Sequence, residues 1–191
     1  MSQAAALREK IDERLGRKRQ YRVILRRCDE PTPENARRIV AECFDALGVQ
    51  PRGKAFIKPN VVSANRRYIH DSYTDPRLVG ETIKLLRERG ATQVTVGESG
   101  GYGIPSRLFL WESGFLRLRK TGARVIDLNT EPVVVTPLTR GVHHKSMRVA
   151  RSLADADFLC WMPKLKYHIC CTVRTEEHTS EIQSRQVNSY A

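Results

Sequence analysis

Lysine, histidine, glutamate and asparagine side chains can move protons, attack electrophiles or hold an anion, and this chain sets them in four short polar clusters. The clusters are Lys58-Pro59-Asn60, Gly97–Gly103 with Glu98 and Ser99 inside it, Asp127-Leu128-Asn129, and Lys164-Leu165-Lys166-Tyr167-His168. Lys164 and Lys166 suit the clamping of negative charge, and a partly desolvated lysine is also a nucleophilic amine. His168 is the natural proton carrier beside them. Glu98 can serve as a general base or metal ligand, with a carboxylate capping the following helix as the competing reading. The candidate catalytic residues are therefore Lys164, Lys166, His168 and Glu98. The candidate ligand-binding residues are Lys58, Asn60, Gly97, Ser99, Gly100, Gly101, Asp127 and Asn129.

The glycine loop has Gly97, Gly100, Gly101 and Gly103. Glycine admits positive φ and close backbone approach, and a helix starting after Pro105 would turn N–H groups towards an anion. The spacing is neither the dinucleotide fingerprint nor the Walker loop, so a tight turn that needs glycine stays open as the alternative. His143-His144 makes a poor bidentate metal site, because neighbours in a strand point to opposite faces. Cys170-Cys171 alone is too short a pattern for an iron–sulfur site. No metal set is assigned, and the cofactor is unknown.

What matters next is whether the elements around these clusters can bring them together. Lys54–Lys58 is a short apolar run stopped by Pro59, which removes a donor and holds Lys58 extended, so it reads as an interior strand. Tyr21–Cys28, Gln93–Val96, Ala123–Leu128 and Phe158–Met162 are the other expected strands, the last of them buried. Helices are expected over Glu34–Leu47, from Thr74-Asp75-Pro76 to Gly90, and from Pro105 to about Lys120. Glu131–Leu138 and Lys145–Ala150 suggest an antiparallel excursion around Thr139-Arg140-Gly141. Ser152–Asp157 is a short helix or turn, and Trp161 and Met162 are expected in the core. The alternation predicts an α/β fold: a predominantly parallel sheet flanked by helices, with the excursion near 131–150. If the strands are parallel, all four clusters emerge on one rim, at the strands' carboxyl ends, where open α/β sheets bind ligands.

The chain has 191 residues, with 33 basic against 21 acidic and a formal net charge of +12. Such an excess favours anionic partners: nucleic acid, anionic lipid, or small phosphorylated or carboxylated molecules, unless it only solvates the surface. Five cysteines without a C-x-x-C pair and the lack of a signal peptide point to the cytoplasm. No run approaches a membrane helix in length. Residues 1–20 read as a leading basic helix, 21–173 as the α/β domain and 174–191 as a non-native tail. That tail, beginning RTEEHTSEIQSR, closely resembles the in-frame translation of a sequencing adapter, so the domain is expected to be incomplete at its C-terminal end.

Five stretches carry a family resemblance: YRVILRRC, KAFIKPNVV, YTDPRLVGETIKLLRERGATQVTVGES, GARVIDLN and ADADFLCWMPKLKYH. Over about residues 21–173 they resemble domain-of-unknown-function family 362, with Tyr167 standing where that family more often has threonine. The resemblance implies an α/β protein, some relatives of which carry ferredoxin-like iron–sulfur modules; no such cysteine motif occurs in this chain. More distantly, the strand–proline–lysine–histidine ending and the glycine-rich turn resemble nucleotide-cofactor-dependent racemases of the lactate racemase type, a likeness that ranks Lys164, Lys166 and His168. The reading expected from all this is an enzyme domain, or a fragment of one, that binds a small anionic molecule or cofactor on its rim. Lys58→Ala or Lys166→Ala, made in a full-length homologue, is then expected to weaken ligand binding without unfolding the protein. The alternatives are a non-enzymatic module for nucleic acid or an acidic protein, and an iron–sulfur-associated redox protein whose cluster segment is missing. Substrate, reaction and oligomeric state are not legible.

Overall fold

Prolines, capping oxygens and glycines set the element ends. In the computed structural model, which describes residues 23–62, 73–100, 105–138, 142–168 and 172–174 (backbone alone for 166–168 and 172–174), helix α1 spans Pro33–Leu47. Thr32 Oγ1 accepts from Asn35 N at 3.2 Å, Pro33 gives up no needed donor in the first turn, and Gly48 ends the helix at φ 64°. Helix α2, Pro76–Glu88, starts the same way, with Asp75 accepting from Arg77 N at 2.8 Å.

Strands β1 (Gly53–Pro59), β2 (Ala91–Glu98), β3 (Arg124–Asp127) and β6 (Phe158–Met162) form one sheet in the order β3-β2-β1-β6. Every pairing in it is parallel, with Ile57 opposite both Val96 and Cys160, and Val96 opposite Val125. The chain steps outward from β1 to β3 and returns on the other side of β1. The topological switch point therefore lies between β1 and β6. Val40 and Phe44 of α1 and Val79, Ile83 and Leu86 of α2 pack in one core with Ala55, Ile57, Val94 and Val96 of the strands. Burying each of these larger side chains stabilises the fold by about 1.5–3 kcal/mol. The antiparallel ribbon is present as β4 (Val133–Pro137) and β5 (Ser146–Ala150), followed by the short helix α4 (Arg151–Ala154). A second antiparallel pair, β7 (Lys166–His168) and β8 (Thr172–Arg174), follows β6.

Four sequence expectations need correction. Residues 23–28 form no strand: Val23 and Leu25 are each 84% exposed, and no described strand offers them a partner. What ties that segment to α1 is Arg26 Nε, 2.6 Å from Glu42 Oε2, an exposed pair that water and salt screen. Its hydrogen bond with Arg26 holds the Glu42 carboxyl below its usual range, so its small stabilisation exists above that range and fades as acid protonates it. The helix expected up to Lys120 ends early: α3 covers Ser106–Glu112, and a 3-10 helix covers Phe115–Thr121. The break is Ser113-Gly114, where the Ser113 hydroxyl donates to Phe109 O at 2.6 Å and Gly114 turns left-handed at φ 82°. Strand β6 is half-buried, not buried, because it is the sheet's edge. For the same reason Trp161 is 41% exposed, while Met162 does pack on the core.

Candidate functional site

The four carboxyl ends do share one rim, and a buried ion pair ties the middle two together. Lys58, one residue before the end of β1, is 7% exposed, and Glu98, the last residue of β2, is 2% exposed. Lys58 Nζ lies 2.8 Å from each Glu98 carboxylate oxygen and donates also to Pro59 O at 3.2 Å. Glu98 Oε2 accepts from Val61 N at 3.1 Å, and Oε1 accepts from Ser99 N at 2.7 Å. One carboxylate therefore organises a cation and two backbone donors from adjoining strand ends. It caps no helix: α3 has no side-chain cap, so the capping reading of Glu98 falls. Lys58 is also no exposed rim lysine, so Lys58→Ala would strip a buried carboxylate of its cation.

Across the switch point, Thr74 stitches β1 to β6. Its Oγ1 accepts from Asn60 N at 3.0 Å and donates to Met162 O at 2.6 Å, while Thr74 N donates to Asn60 O at 3.0 Å. Asn60 is fully buried. Pro59 and Met162 are register partners, so the chain carrying Lys164 leaves the sheet beside Asn60, and Lys164 itself is half-buried. Lys166 and His168 lie in β7, with side chains outside the described residues. Gly101 also lies outside them.

The third loop is tied to the second. Asp127 Oδ1 accepts from Asn129 N at 2.9 Å, an Asx turn that folds the end of β3 back. Asn129 Nδ2 donates to Ser99 O at 2.6 Å and to Ser106 Oγ at 2.7 Å, and the Ser106 hydroxyl donates to the same Ser99 carbonyl. Asn129 thus ties Ser99, the residue after β2, to Ser106 at the start of α3. Gly97 and Gly100 are small because their surroundings are full: a Cβ on Gly97 would sit 2.5 Å from Phe56 Cζ, and one on Gly100 2.8 Å from Phe109 Cδ2. Gly100 also needs its φ of 66°. Gly97→Ala should therefore cost about 1–3 kcal/mol by overpacking, read from urea unfolding, and Phe56→Leu in the same chain should recover part of it.

Sequence reasoning missed Thr74, the Val61 amide and Ser106. Thr74-Asp75-Pro76 reads as a helix start, and Asp75 takes that role; nothing local distinguishes a threonine whose hydroxyl crosses to another strand.

With this geometry in view, the comparison with protein families is decisive. The sequence model of the family described as Domain of unknown function (DUF362) matches residues 56–174, more than half of the chain. The chain belongs to the DUF362 family. No curated protein and no solved structure matches it. The DUF362 match begins inside β1 and ends in β8, so all four polar clusters lie within it.

Among the described residues no group of three His, Cys, Asp or Glu side chains could hold a metal ion, and no helix is long and apolar enough to cross a membrane. Cys28 precedes α1, Cys43 lies on α1 and Cys160 on β6, and all three described thiols are free. His143 and His144 lie exposed in the connection between β4 and β5, and Cys170-Cys171 lies outside the described residues.

Burial pushes the Cys160 thiol up to about 11, against an exposed Cys28. At pH 8, iodoacetamide should label Cys28 and spare Cys160, as peptide mapping would read. The unfolded thiol ionises first, so this group's stabilisation is full below its unfolded pKa of 9.0 and is lost as pH rises towards 11. Cys160→Ala should flatten stability across that window.

Proposed function

We propose that the carboxyl rim of the parallel sheet binds a small anionic molecule or cofactor and that this domain performs enzyme chemistry there. The observation that carries the reading is the buried Lys58–Glu98 pair at the ends of the two central strands. Taking a lysine and a glutamate out of water costs several kcal/mol each before their attraction offsets it. Apolar side chains would hold two strand ends more cheaply. A preorganised cation and carboxylate suit a site where charge is bound or a proton moves. Lys164 lies half-buried just beyond β6, on the other side of the switch point from the pair. In this reading it is the cation that meets ligand directly, with Lys166 and His168 on the following strand.

The division of labour follows from burial. Lys58, Glu98 and Asn60 form the buried frame, and Asp127, Ser99 and Lys164, all half-buried, with the exposed Asn129 form its open face. Gly97 and Gly100 keep the β2 end close-packed, and Gly101 belongs to the same loop. The test is calorimetric titration of the whole chain with a panel of nucleotides, sugar phosphates and di- and tricarboxylates. At least one is expected to bind, about tenfold more weakly in Lys164→Gln, in keeping with the loss of one hydrogen bond to a charged group. Binding by none of the panel, or equal binding by that variant, would reject the reading.

A second reading rests on the exposed Arg107, Arg117, Arg119 and Lys120 of α3 and the 3-10 helix, a basic surface suited to nucleic acid. It requires an affinity that falls steeply with salt. Single-stranded DNA binding that is absent, or unchanged between low and moderate salt, eliminates it.

A further inference from the structure

A cavity of about 180 Å³ opens at the other end of the same sheet, where the strands begin. Lys54 near the start of β1, Gln93 and Thr95 of β2 and Arg124 at the start of β3 line it on the sheet side. Arg151 and Ser152 of α4 line it opposite, with Glu131 and Asp155 as the acidic members. α4 is fixed there through Arg151 N, which donates to Pro132 O at 2.8 Å, and the Ser152 hydroxyl donates to Glu131 Oε1 at 2.8 Å. Three cations thus face one small cavity against two carboxylates, one of which already accepts a hydroxyl.

Lys54 and Arg124 come from strands separated by β2, roughly 10 Å apart across the sheet. Among the described residues neither makes an ion pair, and both, although exposed, line the one cavity. Glu131 and Asp155 offset part of this positive charge. Three cations against two carboxylates leave an excess of one, and an anion between Lys54 and Arg124 would balance it. An arginine fork matches the geometry of phosphate or carboxylate oxygens, and the lysine supplies a point charge. The volume is below the usual 300–1,000 Å³ of pockets for drug-sized ligands, so the fit is to a small group and not to a dinucleotide.

We propose that this amino-end cavity is a second binding site, independent of the carboxyl rim, for a small phosphate or carboxylate anion. Arg124, Lys54 and Arg151 hold the charge. Gln93 and Thr95 contact the neutral part of the ligand.

The experiment is a backbone-amide NMR titration of the whole chain with inorganic phosphate and with citrate, against sodium chloride at matched ionic strength. The expected result is saturable shifts at Lys54, Gln93, Arg124 and Ser152 with phosphate, citrate or both, which also tells the two anion classes apart. Arg124→Gln and Lys54→Gln, both at exposed positions that the fold tolerates, should each weaken that binding about tenfold. Shifts confined to Ser99, Asn129 and Lys164 would overturn the proposal while leaving the rim reading intact. Shifts reproduced by chloride, no shifts at all, or an affinity unchanged in both variants would overturn it as well.

Discussion

Glu98→Ala is expected to destabilise the protein by about 3–5 kcal/mol, the range for removing one partner of a buried ion pair. The variant leaves the Lys58 ammonium 7% exposed and without its carboxylate, and it orphans the Val61 and Ser99 amides that donate to Glu98. Lys58→Met should fall in the same range, because it leaves the Glu98 carboxylate buried without its cation. The double variant Lys58→Met with Glu98→Leu should cost less than the sum of the two single changes, since no uncompensated charge then remains. Urea unfolding of the four proteins measures each value. A loss below about 1 kcal/mol in both single variants, the range of exposed pairs, would mean that water reaches the pair.

Thr74→Val is expected to cost about 1–3 kcal/mol, because a buried and a half-buried backbone group both lose the threonine hydroxyl. The groups are Asn60 N–H and Met162 C=O, which the threonine hydroxyl joins across the switch point. Valine keeps the shape and removes the oxygen, so the cost isolates the hydrogen bonds. Thr74→Ser restores the oxygen and should stay within about 1 kcal/mol of the parent. Hydrogen exchange should show the change locally, with faster exchange at Asn60. Equal stability of Thr74→Val and the parent would mean that β1 and β6 are held at the switch point by their ladder alone.

These two expectations concern residues that the sequence exposed to different degrees. Lys58 and Glu98 stand out because each ends an apolar run, and hydrophobic period and punctuation suffice to place both at strand ends. Their pairing could not be read, because it depends on β1 and β2 being register neighbours 40 residues apart. Thr74 gave no sign of this role, since its partners are Asn60 just past β1 and Met162 at the end of β6, both distant in sequence. The parallel order followed from alternating strands and helices, a rule about chain connections that needs no side-chain detail.

Two of the misreadings share a cause. Tyr21–Cys28 and Phe158–Met162 have strand composition, but composition cannot say whether a neighbouring strand exists. Residues 23–28 have none among the described elements, and β6 has one on a single side. The helix expected to run unbroken to Lys120 failed for a local reason: an apolar pattern at helical spacing continues through Ser113-Gly114, and the left-handed glycine interrupts it. The glycines of the β2 loop suggested room for a ligand's backbone approach, whereas Gly97 and Gly100 are small because of Phe56 and Phe109.

The claim that most needs testing is that ligand meets this DUF362 domain at the carboxyl ends of its strands. Amide NMR with the tightest-binding anion of the panel measures it directly. The account predicts shifts centred on Asn60, Ser99, Leu128 and Lys164, reduced in Lys164→Gln. Shifts confined to Arg107, Arg117 and Lys120, or a titration that leaves those rim amides unmoved, would contradict it.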